Sequence, residues 1–173
     1  TDFHSDGVDL AIRYGAGRYP ELRCERLLAE AVFPVCSPKL LDGPRKLDSL
    51  AALKHQTLLH DDSPDDDPSC PTWAMWLKAA GATDIDGARG PKFNQSSLVV
   101  EAAVLGRGVA LGKASLTAAD LAEGRLVKPF GTSVSVDFAY YVVCPEAKLA
   151  LRKVALFRDW LMAEAASFAG AKG

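Results

Sequence analysis

The sequence has no apolar run approaching the roughly 20 residues that a membrane-spanning helix needs, and no charged-then-apolar leader at its start. No CxxC pair occurs among its four cysteines, and none of them lies near a histidine at metal-ligand spacing, so nothing local supports a zinc site or a redox pair. The three histidines, His4, His55 and His60, stand apart. HExxH and the GxSxG nucleophile elbow are both missing, which leaves metalloprotease and α/β-hydrolase chemistry without a motif. No repeat or low-complexity tract is present. An excess of positive charge is also lacking. Lys and Arg number 20 against 22 Asp and Glu, too balanced for a whole-surface grip on nucleic acid. What remains is 173 residues, 49% hydrophobic and 24% charged, beginning at Thr1, which is the composition of a globular α/β piece of a longer chain. Cys36 and Cys144 read as buried strand ends. Free thiols of this kind suit a reducing compartment, so the expected location is cytoplasmic.

Strands and helices alternate along the chain. Residues 8–14 alternate as a strand and run into Gly15-Ala16-Gly17. Extended segments follow at 22–28 and 31–36, then a short helix at 47–53 and a strand at 56–60. Residues 61–68 hold five Asp and two Pro and read as a hydrated loop, and they lack the ordered spacing of a calcium loop. Thr72 caps a helix in which Trp73, Trp76, Leu77 and Ala80 share one side, a spacing that favours core packing over ligand stacking. A strand at 90–94 leads to a helix capped by Ser96 or Ser97 and closed by Gly106. A strand at 108–112, a helix at 116–121, and extended segments at 126–130 and 134–144 come next. The last helix, 149–166, carries a stripe of Ala150, Val154, Phe157 and Leu161, broadened by Leu156 and Trp160. The alternation predicts layered α/β architecture with largely parallel pairing.

Two glycine-rich segments fail as dinucleotide loops. Gly15-Ala16-Gly17 reaches Pro20 where a third glycine belongs, and Gly106-Arg107-Gly108 follows a helix instead of a strand. The segment Phe93-Asn94-Gln95-Ser96-Ser97 carries more. A strand end feeds polar residues into a helix N-terminus, where free N–H groups and the helix dipole favour an anion. Plain N-capping would need only one of the two serines.

The order and spacing of several segments resemble the effector-binding domain of LysR-type transcriptional regulators. They are residues 6–15, 36–41, 73–77, 93–97, 100–111, 120–127 and 157–161. Within that family the Ala-Ile-Arg-Tyr-Gly strand at 11–15 and the Trp-x-x-Trp helix look most like the glycine-cleavage-activator branch. The resemblance implies two Rossmann-like lobes of the periplasmic-binding-protein type 2 architecture, joined by two crossover strands. Lobe I would take residues 1–36 and 131–173, and lobe II residues 37–130.

It also implies a small anionic effector, an amino acid or small carboxylate, in the interlobe cleft. Tyr14 and Gly15 would come from the first lobe. His60, Asn94, Ser96, Ser97, Leu111 and Gly112 would come from the second. Ser96 and Ser97 would hold the anionic end, His60 and Asn94 would orient it, and Tyr14 and Leu111 would supply apolar contact. No catalytic residue, metal or cofactor is implied. The expected partners are the effector and a homodimer or homotetramer, with the helices at 98–105 and 149–166 as interface candidates. DNA would be met only through the family's N-terminal helix-turn-helix, and no membrane is involved. That helix-turn-helix, and the opening β-α-β segment of the effector domain, would precede Thr1. A solute-binding protein of a transport system and an enzyme on the same architecture are the competing readings.

Overall fold

The computed structural model describes Phe3, residues 7–63 and residues 70–170. Most of the acidic 61–68 segment therefore lies outside the described residues, as does His4. The chain divides into two compact units, Thr1–Glu30 with Asp137–Gly173, and Ala31–Val136. The sequence reading placed these divisions at 36/37 and 130/131. Two long strands cross the divisions: β2 (Leu22–Val35), which joins both extended segments into one strand, and β6 (Val134–Pro145).

In the first unit, β1 (Ala11–Gly15) pairs antiparallel with β6, matching Tyr14 with Tyr140 and Gly15 with Ala139. The Tyr14 ring packs against Phe138 and Tyr140, with centroids 5.3 and 5.0 Å away. The last helix, Arg152–Gly170, is numbered α4 after three helices in the second unit. It buries Val154 and Ala165, while Phe157 is 48% and Trp160 55% exposed. The buried face is thus turned from the expected stripe. Arg158 takes the place expected of Phe157 because its guanidinium reaches inward to donate to Glu25 on β2, with Nε 3.0 Å from Oε2. Those bonds hold the Glu25 carboxyl below its ordinary range, against the opposing effect of burial.

In the second unit the strand order is β2, β5 (Val109–Lys113), β3 (Leu58–Asp61), β4 (Lys92–Phe93). β3 runs parallel to both β5 and β4, whereas β2 meets β5 antiparallel. Pairing is therefore mixed instead of largely parallel. Alternation of elements dictates direction only where a crossover helix joins neighbouring strands, and β2 and β5 are far apart in sequence. The crossover helices are α1 (Trp73–Ala79) and α2 (Ser96–Val104), and α3 (Ala114–Ala122) follows β5 directly.

Successive strand residues face opposite sides of the sheet. Leu58 and Val109 join Trp73, Trp76 and Leu77 in one core cluster, while Leu59 and Ala110 join Val99, Val100 and Ala103 in the other. Both faces are covered, which is why these strands are apolar without interruption. Trp73 and Trp76 are 1% and 0% exposed. Each indole N–H is satisfied, by the Leu59 carbonyl at 3.0 Å and the Thr132 carbonyl at 3.3 Å. Thr72 caps α1 as expected, accepting from the Met75 N–H at 3.2 Å. The segment near 47–53 forms a single 3-10 helix at Leu50–His55, and 126–130 contributes only a bridge between Val127 and Cys36. No helix among the described residues is long and apolar enough to cross a membrane.

Candidate functional site

In open α/β sheets, ligands bind outside the carboxyl ends of parallel strands. In the second unit those ends belong to β3 and β5. Each strand is apolar through its buried part and then turns polar: Leu58-Leu59 gives way to His60-Asp61, and Val109–Leu111 gives way to Gly112-Lys113. Above them lies a cavity of about 130 Å³. Leu59, Trp73, Pro71, Val32 and Leu111 supply its apolar walls. His60, Asp61, Asp62, Lys92 and Lys113 supply its polar ones.

The floor of this cavity is a buried ion pair. Lys113 Nζ donates to Asp61 Oδ2 at 2.7 Å, and the two side chains are 9% and 15% exposed. Ser96 Oγ donates to the same carboxylate oxygen at 2.5 Å, and Lys113 Nζ lies 3.0 Å from Ser96 Oγ. The Ser63 hydroxyl and backbone N–H donate to Oδ1 at 2.5 and 3.1 Å. Burial pushes the Asp61 carboxyl up. The bonds from Lys113, Ser63 and Ser96, with the Lys113 charge, outweigh it and hold the group below its ordinary value. Asp61 is therefore a carboxylate at neutral pH. The Ser63 and Ser96 hydroxyls also lie 3.0 Å from each other.

The expected site residues separate. His60, Leu111 and Ser96 come together at this cavity or its floor. His60 is fixed by a 2.8 Å bond between Nε2 and the Arg89 carbonyl. Arg89 precedes Gly90, whose φ is +116°, and a Cβ there would fall 1.9 Å from the Leu58 carbonyl oxygen. Only glycine lets the chain pass so close to β3. Ser97 lies at a second opening of about 310 Å³, with Val100, Glu101, Val104, Leu116 and Asp120. One residue along a helix turns the side chain by about 100°, so Ser96 and Ser97 face different surroundings. Neither is the N-cap: that position is Gln95, whose backbone is extended and which makes no side-chain capping bond, while Ser96 bonds to Asp61. Asn94 is exposed. Gly112 is buried, and a Cβ on it would meet Thr117 Cγ2 and Val35 Cγ2 at 2.9 Å, which makes it a close-packing position. Tyr14 and Gly15 belong to the first unit, at the end of β1.

Asp61 and Lys113 were absent from the expected set. The available signals were a lysine closing an otherwise apolar strand and an aspartate closing the other directly after His60. Among the described residues, no group of His, Cys, Asp and Glu is placed to hold a metal ion.

The model of the LysR substrate binding domain matches residues 2–166. The chain belongs to this family. It is 40% identical over 163 residues to the glycine cleavage system transcriptional activator of Escherichia coli K12, covering 94% of this chain and 52% of that protein. The transcriptional activator AmpR of Providencia stuartii is 34% identical over 160 residues, covering 92% of this chain and 51% of that protein. The chain thus spans about half the length of the curated relatives it matches. In structure it resembles the effector domain of AmpR from Pseudomonas aeruginosa, with a TM-score of 0.81 and 30% identity over 99% of this chain and 79% of that one. The periplasmic-binding-protein-like α/β architecture agrees with that neighbour. Membership of a family of transcriptional regulators removes the enzyme and the transport receptor as readings of this chain.

Proposed function

We propose that this LysR substrate-binding domain is the effector-sensing part of a DNA-binding transcriptional regulator, and that its effector is a small metabolite carrying a carboxylate. The supporting observation is the cavity at the β3 and β5 ends, where the Lys113 ammonium stands at the floor and Leu59, Trp73 and Leu111 form apolar walls. At about 130 Å³ it is close in size to the roughly 150 Å³ cavity that accommodates benzene. Ligand binding shifts the balance between two conformations in proportion to its differential affinity for them. In the whole regulator that shift is passed to DNA-binding segments through a homodimer or homotetramer. Exposed Leu156, Phe157 and Trp160 on α4 support α4 as part of the oligomer contact.

Thermal-shift measurements against amino acids and small carboxylates test the reading. A binder at about 100 times its Kd stabilises by about 2.7 kcal/mol. That shift is expected to vanish in Leu111→Trp, which fills the cavity. An effector whose shift survives in a folded Leu111→Trp variant refutes this site.

A further inference from the structure

We draw no further inference here: the strongest candidate, the opening of about 310 Å³ on α2 and α3 lined by Val100, Glu101, Val104, Leu116 and Asp120, carries nothing because nothing in the structure shows what covers it.

Discussion

Replacing Lys113 by methionine keeps the apolar stem of the side chain and removes its charge. Asp61 is then left as a carboxylate that is 15% exposed, with Ser63 and Ser96 as its donors. Removing one partner of a fully buried pair costs about 3–5 kcal/mol. Three donors remain and some solvent reaches Asp61, so the expected loss at pH 7 is lower, about 2–3 kcal/mol. With an m-value of about 2–3 kcal/mol/M in urea, the midpoint moves down by about 1 M. Urea titration followed by tryptophan emission reads this, since Trp73 lines the same cavity.

The pH dependence sharpens the test. In the parent chain the Asp61 pKa is depressed, so its contribution is present above the unfolded value of about 3.9 and is lost as pH falls through the folded value. In Lys113→Met, burial acts without the lysine charge and raises the Asp61 pKa, so protonation relieves the buried charge earlier. The stability gap between the two proteins should therefore narrow below about pH 4. The double variant Asp61→Asn with Lys113→Met is expected to lose less than the sum of the single losses, by about 1–3 kcal/mol. A loss below about 0.5 kcal/mol at pH 7, within the ordinary scatter of surface substitutions, would refute the account of a buried, mutually dependent pair.

Other consequences are open to direct measurement. Gly90→Ala forces a Cβ against the Leu58 carbonyl oxygen and requires a left-handed φ of an L-residue, so a loss of about 2–4 kcal/mol in thermal or urea unfolding is expected. Unfolding indistinguishable from the parent's would remove Gly90 from the support of His60. Ellman titration of the native chain at pH 8 should show Cys24 and Cys70 reacting first, and Cys36 and Cys144 only on unfolding. Cys36 is 0% exposed and its thiol is pushed up to about 11 by burial. Arg158→Leu should cost about 0.5–1.5 kcal/mol through the lost bonds to Glu25, less in molar salt than in dilute buffer. A salt-independent loss would assign the effect to packing instead.

Local signals carried some elements well. The spacing of Trp73, Trp76 and Leu77 behind Thr72 is enough to place α1, its cap and its buried face. For α4 the extent was readable but the face was not. Phe157 and Arg158 are adjacent, and only the position of Glu25 on β2 decides which of them turns inward. Among the cavity residues, His60 and Leu111 were legible because each stands where an apolar strand turns polar. The ion pair was not, since Asp61 and Lys113 are 52 positions apart and meet only through the parallel pairing of β3 and β5. Asp61 also sits at the head of an acidic run, where composition alone points to hydration. The two serines at the start of α2 read alike in sequence. Helical rotation gives one to the ion pair and the other to a separate opening.

The pairing of charges among the described residues of the cavity bears on how fast a ligand bound there would be captured. Electrostatic steering needs a net field reaching beyond the Debye length, about 8 Å at physiological ionic strength. Among the described residues of the lining, Lys92 pairs with Asp62 and Lys113 with Asp61, each pair neutral at that distance. These two pairs add little net field of their own, so steering of an effector bound as proposed would come from charges elsewhere and show as an association rate that falls with salt. The inner pair would be felt only at contact, so changing it should alter the dissociation rate more than the association rate.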